Sequence, residues 1–339
     1  MNPFAYERAA DSAEAIRSVA ASASCKFLAG GTNLIDLMKD GVEKPERLID
    51  INRLPLSAIE PLPDGGLRLG ATARNADTAN HPLVRRNYPM LSRAILSGAS
   101  PQLRNLATNG GNLLQRTRCW YFMDTGSPRC NKRAPGTGCG AIDGLNRNQA
   151  ILGASDHCIA THPSDMAVAL TALEARIRVQ GPRGERTIPI AEFYRLPDDT
   201  PWRDTNLQPH ELILSIDLPP SSYAAHSHYL KIRDRASYEF ALVSVAAALD
   251  MHEGQIRSAR VVLGGVAHKP WRCEASEQLL VGKKSGAQAF ESAGDEAVKG
   301  AKPYKYNAFK VEMARRAVIR ALSEAVLNEP SADKNRSAA

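Results

Sequence analysis

Between Gln115 and Cys158 the chain loses every regular hydrophobic period while it gathers glycine, proline, arginine, asparagine and four of its six cysteines. Any fold must therefore carry a long segment that has no apolar face of its own. A stretch of this length without periodic structure inside a compact domain is ordinarily functional or disordered, and the thiols argue for function. Cys119, Cys130, Cys139 and Cys158 follow the pattern C-x10-C-x8-C-x18-C. Four soft thiolates are the complement of a tetrahedral zinc site or of an iron-sulfur cluster. The spacing lacks the tight C-x2-C knuckle of zinc ribbons. An iron-sulfur cluster, zinc, and uncoordinated or disulfide-bonded cysteine all stay open on spacing alone. Cys25 and Cys273 stand apart and read as small buried hydrophobes.

Charge gathers around the same segment. The chain has 43 Lys or Arg against 36 Asp or Glu, a net charge of +7. From Pro101 to Cys158 seven basic residues (Arg104, Arg116, Arg118, Arg129, Lys132, Arg133, Arg147) face three acidic ones (Asp124, Asp143, Asp156). Cations and backbone N–H groups stabilise the negative charge that thiolates and sulfides accumulate. A case for nucleic acid needs a basic stripe or a binding motif as well, and none is evident. At 43% hydrophobic and 23% charged residues, disorder and collagen are excluded. The longest apolar stretch, Phe240 to Leu249, is broken by Ser244 and falls short of the roughly 20 residues a membrane helix needs. Neither G-x-S-x-G nor H-E-x-x-H occurs, so no hydrolytic centre is expected.

Flanking the aperiodic segment, the elements are readable. Asp11 and Glu14 have capping-box spacing before a helix whose apolar face holds Ala13, Ile16, Val19 and Ala20. Strands are expected at Lys26–Ala29 and Arg47–Asn52, a hairpin turn at Asp64-Gly65-Gly66 and a helix from Pro89 to Leu96. Past the segment come a helix from Pro163 and a hairpin at Gly181-Pro182-Arg183-Gly184. Strands at Tyr229–Arg233, Ala241–Asp250 and Ile256–Gly264 follow, and a closing helix runs from Tyr306 to Asn328 with Phe309, Met313, Ala317, Ile319 and Leu322 inward. The expected division is a first subdomain over 1–54, a second over 55–222 with the cysteine insertion at about 115–158, a third unit over 223–328 and a frayed tail over 329–339.

Two turns share one composition. Lys26-Phe27-Leu28-Ala29-Gly30-Gly31-Thr32-Asn33-Leu34 is a strand, a double glycine and a helix start; Ala107-Thr108-Asn109-Gly110-Gly111-Asn112 repeats the glycines, hydroxyl and amide. Such turns let backbone amides approach an anion at the positive end of a helix. Neither matches G-x-G-x-x-G or the P-loop. A tight turn explains either one alone, whereas the pair suggests a diphosphate gripped from two sides.

These turns, together with Ser100-Pro101-Gln102-Leu103-Arg104-Asn105, His162-Pro163-Ser164-Asp165-Met166 and Tyr229-Leu230-Lys231-Ile232-Arg233-Asp234-Arg235, resemble the FAD-binding subunit of molybdenum hydroxylases, the xanthine dehydrogenase and aldehyde oxidoreductase family. The likeness spans nearly the whole chain. It implies an α+β fold: a two-subdomain FAD-binding fold of the vanillyl-alcohol oxidase/PCMH type, plus a C-terminal α+β domain, an antiparallel sheet with helices, like that of carbon monoxide dehydrogenase flavoproteins. Most of the family lacks a cysteine insertion. With it, the chain is similar to the FAD and 4Fe-4S subunit of bacterial periplasmic-type aldehyde oxidoreductases, and the resemblance makes Cys119, Cys130, Cys139 and Cys158 the cluster ligands.

The same resemblance implies residue roles. The backbone of Lys26, Phe27, Leu28, Ala29, Gly30, Gly31, Thr32, Asn33 and Leu34 wraps the FAD diphosphate, and Thr108, Gly111 and Asn112 close the other side. Asp165 contacts the cofactor, a role compatible with its place in the first turn of a helix. Ile213 forms an apolar wall and Lys231 a cation near the flavin ring. Arg116 and Arg118 serve the cluster, the diphosphate or solvent. Substrate chemistry falls to a large partner with the molybdenum-pterin cofactor, which converts aldehyde and water to carboxylate. A small partner holds two 2Fe-2S clusters, and electrons leave this chain for an external acceptor; no nicotinamide fingerprint is evident. Two readings compete: the flavin subunit of a related hydroxylase acting on an aromatic acyl-CoA or a purine, and a non-catalytic zinc-stabilised scaffold or binding module. The opening Met-Asn-Pro-Phe-Ala-Tyr-Glu-Arg has no export-signal pattern, so a periplasmic location requires co-export with a signal-bearing partner; the alternative is cytoplasmic.

Overall fold

The computed structural model describes residues 1–327, so the tail at 329–339 lies outside the described residues. Twelve described strands form three sheets, which follow one another along the chain. The first contains β1 (Ala5–Arg8), β2 (Cys25–Leu28) and β3 (Arg47–Asp50), in the order β1-β3-β2 and parallel throughout. The second contains β4 (Ile59–Pro61), β5 (Leu67–Gly70), β6 (Arg176–Gly181), β7 (Gly184–Pro189) and β8 (Leu212–Leu218), antiparallel in the order β4-β5-β8-β6-β7. The third contains β9 (Ser227–Ile232), β10 (Val243–His252), β11 (Gln255–Gly264) and β12 (Trp271–Arg272), also antiparallel.

Local chemistry sets the crossovers. The Ser12–Ala20 helix joins β1 to β2, and the Asp11 carboxylate accepts from the Glu14 amide at 2.7 Å. Glu14 reaches back to the amide of Ala10 at 2.6 Å, one residue before the cap. Caps of this kind contribute about 1 kcal/mol. Its buried face is Ala15, Ile16 and Val19; Ala13 and Ala20, expected inward, are exposed. The turn at Asp64-Gly65-Gly66 joins β4 to β5, and the turn after Gly181 joins β6 to β7, both as expected.

β10 explains the longest apolar run. Val243, Val245, Ala247 and Leu249 enter a core shared with the last helices, whereas Ala246 and Ala248 enter the core beneath the second sheet. A strand covered on both faces has no polar side to alternate with. The closing helix spans Phe309–Leu327, and its buried face is Lys310, Ala314, Ala317, Val318, Ala321, Leu322 and Ala325. Of the face expected inward, Ala317 and Leu322 are buried, Met313 and Ile319 are half-buried against the same core, and Phe309 is exposed. Small residues let the helix lie close to the sheet, and Lys310 is buried because its Nζ donates to three carbonyls, of Asn148, Gln149 and Gly265. Among the described residues no helix is long and apolar enough to cross a membrane.

Candidate functional site: a cleft between two glycine turns and an adjoining cysteine nest

The two glycine turns touch backbone to backbone. A Cβ on Gly30 would sit 2.0 Å from the carbonyl oxygen of Leu106, just before the second turn, and Gly31 has φ +74°. Only glycine tolerates both demands without strain. Beyond them Asn33 begins the Leu34–Lys39 helix without capping it by its side chain. Its Oδ1 instead accepts from the amide of Arg116 at 3.1 Å, and its Nδ2 is buried without a hydrogen-bond partner among the described residues. No group among the described residues accepts from the amides of Gly31, Thr32 or Asn33. The first turn thus presents free donors.

The second turn has spent its donors. The amides of Asn109, Gly110, Gly111 and Asn112 go to Ala73 O, Ala71 O, Thr108 Oγ1 and Thr108 O. Asn109, fully buried, donates to Gly70 O and accepts from Asn75 and Thr78. Asn112 donates to Asn75 Oδ1 at 2.6 Å and accepts from Ser164 Oγ at 2.6 Å and Gln115 Nε2 at 2.8 Å. Asn75 and Asn109, absent from the sequence-level site, frame this turn. Their signal was only a turn asparagine and a distant one, which periodicity does not connect.

An open cleft of about 1030 Å³ runs from these turns to the third sheet. Of the residues expected at the cofactor, Thr32, Asn33, Gly111, Asn112, Asp165 and Lys231 line it. Lys26, Phe27, Leu28, Ala29, Gly30, Gly31, Leu34 and Thr108 are not part of that lining, and the Lys26 ammonium pairs with Glu43 at 2.8 Å. Ile213 is 4% exposed, packs against Gly110 and lies apart from the cleft wall.

Asp165 opens the Asp165–Ala172 helix, capped by Ser164. Its carboxylate accepts from Tyr229 Oη and Lys231 Nζ, each at 2.7 Å, and Lys231 also donates to Ser97 O. Lys231 is therefore a cation paired with a buried carboxylate at the cleft wall. Burial in this setting pushes the Tyr229 phenol well up, and the Asp165 charge adds to the effect. Gly98 leaves room for this pair, since a Cβ there would lie 3.2 Å from Asp165 Oδ2.

The four insertion cysteines come together. Cys119, Cys130 and Cys158 are buried and Cys139 half-buried in one nest with Leu37, Phe122, Ala141, Ile159 and Ala160. A β-bridge joins Cys130 to Cys139, and Gln149 Nε2 donates to Cys119 Sγ at 3.4 Å. All six cysteines are free. Burial pushes the Cys119 thiol up to about 11 and the Cys158 thiol up to about 12. Among the described residues, no group of three or more His, Cys, Asp and Glu is set to hold a single metal ion. Between nest and cleft lies a somewhat smaller cavity of about 760 Å³, whose wall includes Cys119, Arg118 and Asp165. Arg118 borders both spaces and stacks over Phe240, 5.3 Å from the ring centre.

A cleft floored by a free-amide turn, an unpartnered asparagine amide and an adjoining antiparallel sheet defines a flavin-binding subunit. Residues 2–221 match the FAD binding domain in molybdopterin dehydrogenase, and residues 228–325 match the CO dehydrogenase flavoprotein C-terminal domain. The chain belongs to the FAD-binding subunits of the molybdenum hydroxylase family. It is 52% identical over 326 residues to the aldehyde oxidoreductase FAD-binding subunit PaoB of Escherichia coli K12, covering 96% of this chain and 99% of that one. The putative xanthine dehydrogenase FAD-binding subunit XdhB of the same organism is 25% identical over 95% of each chain. In a solved structure of carbon monoxide dehydrogenase from Hydrogenophaga pseudoflava, a chain 26% identical superposes with a TM-score of 0.76 over 97% of this chain and 99% of its own.

Proposed function

We propose that this protein is the electron-transfer subunit of a molybdenum-dependent aldehyde oxidoreductase. It would assemble with a large subunit that carries the molybdenum-pterin cofactor and a small one with two 2Fe-2S clusters. The observation that carries the reading is the 52% identity to PaoB over nearly the full length of both chains. That likeness favours an aldehyde-oxidising partner over one acting on an aromatic acyl-CoA or a purine. Bound FAD would supply two-electron storage, and a 4Fe-4S cluster one-electron exchange.

The cleft fits FAD in a specific way. The amides of Gly31, Thr32 and Asn33 and the Asn33 Nδ2 are the donors left for a diphosphate, while Thr108, Gly111 and Asn112 act as the frame that holds the opposite wall. Asp165 and Lys231 close the far end as a pair, and Ile213 packs beneath the second glycine turn against Gly110. The proposed cluster ligands are Cys119, Cys130, Cys139 and Cys158. Their common nest supports this reading. The high thiol pKa values mean that deprotonation needs a compensating cation, which a cluster's iron supplies.

The test is the cofactor content of anaerobically purified protein. About four irons per chain with a dithionite-bleachable flavin spectrum is the expected result. Zinc without flavin would return the chain to a scaffold role, and flavin without iron would remove the cluster. Cys130→Ser or Cys139→Ser should lose iron and keep part of the FAD; unchanged iron removes that cysteine from the ligand set. The proposal extends to location, in the periplasm by co-export with a signal-bearing partner. Recovery of the complex only from the cytoplasmic fraction would select the cytoplasmic alternative.

A further inference from the structure

A line of alternating charges connects the two candidate sites. Lys26, on the strand that enters the first glycine turn, pairs with Glu43 at 2.8 Å, and Glu43 pairs with Arg116 at 2.8 Å. Arg116 Nε meets Asp204 Oδ2 at 2.5 Å, and the other carboxylate oxygen of Asp204 is paired with Lys132 Nζ. Lys132 has 1% of its side chain exposed and stands two residues after Cys130; it also donates to Pro201 O at 2.7 Å and to His268 Nε2 at 2.8 Å. His268 lies 3.4 Å from Asp204. Burial alone would raise the Asp204 carboxyl, yet Lys132, His268 and Arg116 hold it far below the usual carboxylate range.

Each arm of this hub ends at a site. Arg116 is the residue whose amide fixes Asn33 Oδ1; Asn33 lines the cleft, and its buried Nδ2 has no hydrogen-bond partner among the described residues. On the other arm, the neighbours of Lys132 gather the cysteine segments. Asn131 accepts from the amides of Gly136 and Gly138, ahead of Cys139, and donates to His157 O, ahead of Cys158. Arg133 donates to Tyr121 O, Phe122 O and Asp124 O, just after Cys119. Asn131 and Arg133 therefore hold the insertion together, and Lys132 fastens it to the scaffold.

We propose that Asp204 is a positioning residue common to both sites: through Arg116 it orients Asn33 in the flavin cleft, and through Lys132 it fixes the loop that carries Cys130. The cysteine arm rests on the cluster reading above, whereas the flavin arm rests on FAD binding alone. A buried carboxylate between two cations is costly to neutralise because both cations are left without their counter-charge.

The experiment uses the full-length protein and two readouts, FAD affinity by flavin fluorescence and iron per chain. Asp204→Asn should weaken FAD binding about tenfold, the value of one well-placed hydrogen bond, and lower the iron content. Asp204→Glu, which keeps the charge, should recover both in large part. Arg116→Gln cuts the Asn33 arm and should weaken FAD binding to a similar degree; because Arg116 also lies over the Phe122 ring beside the cysteines, 4.9 Å from its centre, iron should fall, but less than in Asp204→Asn. Native FAD affinity and iron in Asp204→Asn, with only a lower melting temperature, would overturn the proposal. If that variant does not fold, Arg116→Gln decides, and native FAD affinity there overturns the flavin arm. Absence of iron from the unmodified protein is the failure of the cluster reading, and leaves the flavin arm to be judged on FAD affinity.

Discussion

At the residue scale the structure replaces a list of glycines and amides with a division of labour. Gly30 is the contact point of two backbones, so Gly30→Ala should destabilise the protein by about 3 kcal/mol and release FAD, read by thermal unfolding and retained flavin. Gly31→Val should abolish FAD binding, because a β-branched residue resists φ +74° and its side chain obstructs close approach to the backbone amide; stoichiometric flavin would make this turn structural only. His162 gives a pH prediction. Burial holds its imidazole down to about 3, so the folded state keeps it neutral while the unfolded chain takes a proton near the ordinary value of about 6.5. Stability from this group is therefore complete above about pH 6.5 and falls as pH drops from there towards 3. His162→Gln should flatten that slope in denaturation curves measured across the range. The glycine turns and four cysteines were legible because each reads from a short window. Asn75, Asn109 and Asp204 were not, because their roles depend on partners brought near only by folding.

At the scale of elements, patterning gave the sheets and most turns, and it failed where a polar side chain is buried with dedicated partners. The closing helix is the clearest case. Hydrophobicity places Ala317, Leu322, Met313 and Ile319 on the core side, where they lie, but it also places the exposed Phe309 there and gives no sign of the buried Lys310 beside it. Lys310→Met should cost about 3 kcal/mol, since three buried carbonyls lose their donor. Urea unfolding measures this, and a neutral result would mean that water replaces the ammonium. In the insertion, no period existed to read. Its order comes from side chains bonded to backbone, Asn131 and Arg133 above all, and such bonds leave no trace in the sequence pattern.

For the whole molecule, the cleft is built from distant parts of the chain: the first glycine turn, the Pro89–Ser97 helix with the segment after it, the second turn with the Asp165 helix, and β9 with the loop that follows it. A ligand held by all of them should stabilise them as one. At a free FAD concentration one hundred times the dissociation constant, the gain is about 2.7 kcal/mol. Calorimetry should show a single transition that rises with FAD; separate transitions, of which only one responds, would place the ligand in one unit alone.

The Asp165 carboxylate, satisfied by Tyr229 and Lys231 across the boundary between the two matched families, also limits how such proteins can be recombined. A chimera that takes its C-terminal portion from a relative inherits a donor pair or lacks it. Without both donors the incoming half leaves a buried acid unsatisfied, so compatible grafts are those that bring a phenol and an ammonium at these two positions.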